Sequence, residues 1–288
     1  MYLVLNGTRH FIDIDGAGLV AQGPAMVPRP TMILIHGGPG ADHSIYKPQM
    51  SGLTDLCQLV YIDLRGNGRS DDGDPADWTL AQWGDDIRAL CDTLGIVRPI
   101  VYGASFGGVV AQAYATRHPD HPGALLLGST TARTDFEAIY AAFAALDPKA
   151  GEVARAYWSA PTPESRQAYF ETCLPLYATR GLDPDIMARM IVKNPVAMHY
   201  NGPDNEQGRF DFRAALAQVS CPALVLSGEC DPIMPPEFGR ALAQALPNSR
   251  YAEIAGAAHM IDRDRPRAFF DVVLDFVSEV APLCISND

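Results

Sequence analysis

Ile100-Val101-Tyr102-Gly103-Ala104-Ser105-Phe106-Gly107-Gly108-Val109-Val110-Ala111-Gln112-Ala113-Tyr114-Ala115 carries the pattern that decides the fold. An apolar run ends at Tyr102, residues 103–107 match Gly-x-Ser-x-Gly, and a helical pattern runs from Gly108 through Ala115. A serine on a tight strand-to-helix turn has its hydroxyl pushed outward, and side chains at the flanking positions would collide there, so glycines stand on both sides. The helix N-terminus beneath such a serine favours developing negative charge. No charged residue lies between Arg98 and Arg117, a length that approaches a membrane span. Pro99 opens the run and Gly103, Gly107 and Gly108 interrupt it, so the segment reads as buried strand, sharp turn and buried helix.

The same short, doubly apolar runs recur on either side. They are Thr31 to Ile35, Leu59 to Ile62, Ala124 to Leu127 and Ala223 to Leu226, each suited to a central parallel strand. Tyr2 to Asn6 and His10 to Ile14 read as an antiparallel lead-in around Gly7-Thr8, and Tyr251 to Ile254 as a late strand. Between strands lie helical patterns: Leu80, Trp83, Ile87, Leu90 and Leu94 form one apolar stripe, closed by Gly95. The expected architecture is α/β, a mostly parallel eight-stranded sheet with helices on both faces. From Asp135 to about Asn194 only helical patterns appear (Ala138 to Leu146, Val153 to Trp158, Ser165 to Tyr177, Pro184 to Val192), punctuated by prolines that include Pro195. A polar loop, Asn201 to Gly208, follows them. Residues 131–215 are therefore expected to form a helical cap inserted into a core of residues 1–130 and 216–288.

Ser105 is the candidate nucleophile, and a serine hydroxyl needs a base to take its proton. On a turn of this kind the partners follow in chain order as acid and then histidine. Asp231 stands in Gly228-Glu229-Cys230-Asp231-Pro232, just beyond an apolar strand, with Glu229 as its rival. His259 lies in the loop after the last strand, whereas His36 sits in His-Gly-Gly and His199 in the cap. The expected roles are base for His259 and orientation of its imidazole for Asp231. The backbone N–H groups of Phe106 and of Gly38, with Gly37 as the alternative, are the expected oxyanion donors. The His-Gly-Gly loop lacks the Lys and Ser/Thr of a nucleotide-binding loop.

These residues resemble the α/β-hydrolase superfamily over nearly the whole chain, and the α/β-hydrolase fold is what the resemblance implies. Asp63-Leu64-Arg65-Gly66-Asn67-Gly68-Arg69-Ser70 looks like the family's loop after its fourth strand, with Arg65 an anchor. His36-Gly37-Gly38-Pro39-Gly40 looks like the oxyanion loop of proline iminopeptidases, and Asn201-Gly202-Pro203-Asp204-Asn205-Glu206 is similar to a cap-edge segment of some of them. There a glutamate binds the substrate's amino group, and the resemblance gives that place to Glu206. Pro232 stands where some members carry a second carboxylate, and Phe106 where Trp or Tyr is common. The resemblance thus implies an aminopeptidase or small amidase. An esterase or lactonase is the alternative, with cap aromatics (Tyr157, Trp158, Tyr169, Phe170, Tyr177, Phe210, Phe212) around an apolar pocket. Trp158 joins Glu206 as a candidate substrate contact. A non-catalytic ligand-binding protein is a remote third reading.

The 22 basic and 34 acidic residues among 288 give a net charge of −12. They leave no basic cluster for phosphates, so nucleic acid is not an expected partner. A small molecule or short peptide is. The six cysteines have no metal spacing, and neither metal nor organic cofactor is expected. Met1 to Gly7 lacks the features of a signal peptide, which with the free thiols gives a cytoplasmic expectation.

Overall fold

The computed structural model describes residues 1–285. Strands β1 (Tyr2–Leu5) and β2 (Thr8–Asp15) form the antiparallel lead-in, and β3 (Leu19–Gln22) with β4 (Ala25–Pro28) a separate two-stranded ribbon. The sequence reading did not anticipate that ribbon. Its residues are exposed or half-buried throughout, so no alternation of apolar and polar side chains marks it. The parallel strands are β5 (Thr31–Ile35), β6 (Gln58–Ile62), β7 (Ile100–Ala104), β8 (Ala124–Gly128), β9 (Ala223–Gly228) and β10 (Ser249–Ile254). The eight-stranded sheet runs β1-β2-β6-β5-β7-β8-β9-β10, antiparallel only at the β1 and β2 edge. The expected α/β-hydrolase architecture is the one formed.

Helices cover both faces. On one side α1 (Leu80–Leu94) and α2 (Phe106–Arg117) pack Trp83, Ile87, Val110 and Tyr114 against Ile33, Ile35, Val101 and Leu127. On the other, α12 (Pro266–Ile285) sets Phe269, Val273 and Phe276 against Met32, Leu34, Ile100 and Leu126. Alternate residues of β5 thus serve opposite cores, which is why the strand reads as apolar without a break. Thr79 caps α1, accepting a hydrogen bond from Gln82 N–H (3.2 Å), and Gly95 ends it in the left-handed conformation.

Between β8 and β9 the chain forms α3 (Phe136–Leu146), α4 (Pro148–Ser159), α5 (Pro163–Thr172), α6 (Pro184–Arg189), α7 (Asn194–Tyr200), α8 (Glu206–Arg209) and α9 (Arg213–Leu216). These helices carry a third apolar cluster, with Phe143, Tyr157 and Tyr169 at its centre. Pro195 does not break the chain as the sequence suggested. It sits in the first turn of α7, where a missing N–H costs nothing. The segment's entry and exit are tied together, since Arg133 and Asp211 form an antiparallel bridge and Phe212 N–H donates to Ala132 O at 2.9 Å. After β9 come α10 (Pro236–Ala245) and α11 (Ile261–Asp264). Among the described residues no helix is long and apolar enough to cross a membrane.

Candidate active site

Ser105 stands between β7 and α2 with φ 56° and ψ −124°, a region that non-glycine residues occupy only when the surroundings enforce it. The turn depends on close packing that only glycine permits. A Cβ at position 103 would run into Gly107 O, one at 107 would lie 2.6 Å from His36 O, and one at 108 would lie 2.7 Å from the Thr130 side chain. The backbone around Ser105 is then clamped from β8. Ser105 N–H donates to Gly128 O (2.9 Å), and Thr130 Oγ1 donates to Ser105 O (2.8 Å). Between those two residues, Ser129 Oγ donates to His259 O (3.1 Å). One short stretch, Gly128-Ser129-Thr130, therefore registers the serine turn against the histidine loop, a role the sequence reading missed because nothing in Gly-Ser-Thr distinguishes it from any loop.

His259 Nδ1 lies 2.8 Å from Asp231 Oδ2, and Asp231 is buried. The other carboxylate oxygen accepts the N–H groups of Ile233 (3.0 Å) and Met234 (2.9 Å). This turn explains Pro232, the one residue between, which has no N–H to offer. Cys230 N–H donates to Ala257 O (2.8 Å), which joins the two loops. Glu229, the rival acid, is exposed and accepts Gly256 N–H (2.7 Å). His36 is buried, donates from Nδ1 to Gly37 O (3.0 Å) and accepts Leu64 N–H at Nε2 (3.2 Å). Burial pushes its pKa down, so it is a neutral brace for the glycine loop. His199 lies edge-on to Trp78 and does not line the cavity described next.

Ser105 and His259 face one cavity of about 550 Å³. Ser105 Oγ and His259 Nε2 make no direct hydrogen bond, a contact that in such sites commonly tightens only when substrate is bound. Gly37, Gly38 and Phe106 line the same space. Gly38 has φ +58°, which suits glycine. The N–H groups of Phe106, at the start of α2, and of Gly38 have no acceptor among the described residues. The glycine loop is held from beyond β8, because Lys193 N–H donates to Gly40 O at 2.7 Å.

The aromatic part of the wall comes largely from the segment between β8 and β9. Tyr157, Trp158, Tyr169, Phe170, Tyr177 and Phe210 line it, whereas Phe212 does not. Tyr177 lies edge-on to the His259 ring, 4.9 Å between centroids. Trp158 is buried, and its indole Nε1 has no partner. Glu206 is placed differently from the expectation. It is not part of the cavity wall, and its Oε2 accepts Leu80 N–H (2.9 Å) at the start of α1. A free helix N–H is a strong claim on a carboxylate, and the neighbouring Gln207 faces the cavity instead. Arg65, the expected anchor, is buried and pairs bidentately with Asp86 (3.0 and 2.9 Å).

A family model described as the alpha/beta hydrolase fold matches residues 30–262. A putative carbamate hydrolase RutD of Caulobacter sp. (strain K31) is 28% identical, over 92% of this chain and 97% of its own length. A proline iminopeptidase PfmaB of Pestalotiopsis fici is 25% identical, over 87% and 92%. Among solved structures, an enol-lactonase from Burkholderia xenovorans LB400 superposes with a TM-score of 0.70 at 28% identity, covering 96% of this chain and all of that one.

Proposed function

The chain belongs to the alpha/beta hydrolase fold family and is a hydrolase, and from that premise we propose a serine hydrolase that cleaves a small carboxylic ester or lactone through an acyl-enzyme. The observation that carries this reading is the shared cavity. Ser105 and His259 face it, His259 is held at Nδ1 by Asp231, and Phe106 and Gly38, whose N–H groups are unbonded, line it too.

Chemistry follows from the geometry. Ser105 Oγ attacks the carbonyl carbon as His259 Nε2 takes its proton, while His259 Nδ1–H remains on Asp231. The oxyanion accepts from Phe106 and Gly38, each donor contributing about 3 kcal/mol in the transition state. Collapse breaks the bond to the leaving oxygen, which takes the proton back from His259. Water then attacks the acyl-enzyme with His259 again as base, and the acid leaves.

Ester or lactone is preferred to peptide because Glu206, the expected ammonium anchor, is engaged at Leu80. The wall is rich in aromatic side chains, and the enol-lactonase named above is a relative of similar length. In the same reading residues 131–215 act as a cap over a core of residues 1–130 and 216–288, and Trp158 offers its free indole N–H to substrate. Turnover of p-nitrophenyl butyrate is the test. Ser105→Ala should lower kcat/KM by on the order of 10³ or more and abolish labelling by a fluorophosphonate probe. Full activity in Ser105→Ala would overturn the serine mechanism, and turnover of prolyl naphthylamide without ester turnover would return the reading to an aminopeptidase.

A further inference from the structure

Arg166, on α5, is 8% exposed and lines the cavity. Its Nε donates to Asn194 Oδ1 (3.0 Å), its Nη1 to the Tyr157 hydroxyl (3.0 Å), and its Cζ lies 4.4 Å above the Phe170 ring. Every one of these neighbours is neutral. No carboxylate comes within ion-pair distance among the described residues, and Nη2 has no acceptor among them. The chain's other buried guanidinium, Arg65, shows the contrast, since it is neutralised by Asp86.

A buried cation without a counter-ion is costly, and a guanidinium does not shed its charge. The groups around Arg166 fix the plane of its fork without neutralising it. Asn201 Nδ2 also donates to the Tyr157 hydroxyl (2.6 Å), and Gly202 N–H donates to Gln207 Oε1 (3.0 Å), which leaves the Gln207 amide NH₂ for the cavity. Elsewhere in the wall, Asp262 has Arg263 beside it (3.8 Å). The carboxylates at the site, Asp262 and Asp231, are thus taken up by Arg263 and His259, and Arg166 is left without a counter-charge at its end of the cavity.

We infer that the substrate carries a free carboxylate, apart from the scissile carbonyl, and that Arg166 receives it in the helical wall of the cavity. The inference rests on the ester and lactone reading above and narrows it. A planar fork held in one orientation matches a carboxylate bidentately, and the aromatic wall accommodates an apolar spacer between that carboxylate and the reacting carbonyl. An ammonium substrate would meet the wrong charge at this end.

The test uses p-nitrophenyl half-esters of the linear diacids from succinic to suberic, each beside its methyl ester, which has the same chain without the charge. The wild-type protein should prefer the free acid in kcat/KM by about tenfold or more for at least one chain length, with the difference in KM. Arg166→Gln should bring that ratio to about one, and Arg166→Lys should restore part of it. The ratio is taken within one preparation, so the fraction of folded protein cancels. Should Arg166→Gln not fold, competition on the wild-type protein decides: adipate should inhibit butyrate-ester turnover at least about tenfold more tightly than adipamide. No preference at any chain length together with equal inhibition overturns the inference, and so does a preference that survives in Arg166→Gln. Ser105→Ala assayed on the methyl esters separates the two levels: retained turnover there refutes the serine mechanism, whereas Ser105-dependent turnover without carboxylate preference refutes only the role of Arg166.

Discussion

Asp231 divides its carboxylate between two tasks. Oδ1 closes the turn over Pro232 by accepting from Ile233 and Met234, and Oδ2 faces His259. An asparagine keeps the first and corrupts the second, since its carbonyl still closes the turn while its NH₂ favours the wrong imidazole tautomer. Asp231→Asn is therefore expected to fold and melt nearly as the parent does, with kcat lower by on the order of 10³ to 10⁴ and little change in KM. Steady-state kinetics beside a thermal melt checks this, and a large loss of stability with kcat preserved would make the contact structural. At this scale the sequence was informative about where Ser105, Asp231 and His259 lie, because strand ends and glycine turns mark the serine turn and the two loops. It was silent about Arg166. A single arginine in the pattern Pro-Glu-Ser-Arg-Gln-Ala-Tyr-Phe reads as a solvated face, and only the packing of α4, α5 and α7 around it shows that it is buried without a counter-charge.

At the scale of elements, Glu206 shows how one backbone group overrides a motif. Its carboxylate ties α8 to the N-terminus of α1, a contact across 126 residues of chain, and the N-terminal dipole of α1 adds to the hydrogen bond. Glu206→Ala should destabilise the fold by about 1 kcal/mol and leave kcat/KM for small esters within about twofold. Denaturation and ester kinetics together decide the matter: a sharp rise in KM at unchanged stability would put Glu206 back at the substrate. Helix boundaries between β8 and β9 were less legible than the core strands. The expected helix from Ser165 to Tyr177 ends at Thr172 and gives way to a 3-10 turn, Leu174–Tyr177, with Pro175 in it. That turn swings Tyr177 onto the His259 ring.

For the molecule as a whole, buried charge couples the fold to pH. Burial alone would raise the Asp86 carboxyl, but hydrogen bonds from His10 and Arg65 outweigh it, and the net shift is downward. Asp63 follows the same course, with burial opposed chiefly by the hydrogen bond to His43 and helped by that from Arg69 N–H. A carboxyl depressed in the folded state stabilises fully above its ordinary value of 3.8, and that contribution is lost as pH falls through the folded value. His36, lowered by burial from 6.5, acts in the same direction, because below that value only the unfolded chain takes up its proton. Asp262, raised by burial, opposes them alone among the described carboxylates. The urea midpoint, followed by tryptophan fluorescence, should decline gently below about pH 6.5 and steeply below about pH 4. A midpoint that rises on acidification would contradict this balance. The sequence by itself determined the chain order of the eight sheet strands, the serine turn, and the loops that hold Asp231 and His259. All of these follow from periodicity and from steric rules that act over a few residues. Only the tertiary structure decided that Gly128-Ser129-Thr130 holds serine and histidine in register, that Glu206 faces α1, and that Arg166 enters the cavity without a counter-ion. Those outcomes depend on which backbone groups and charges distant parts of the chain leave unpaired, and local sequence carries no record of that.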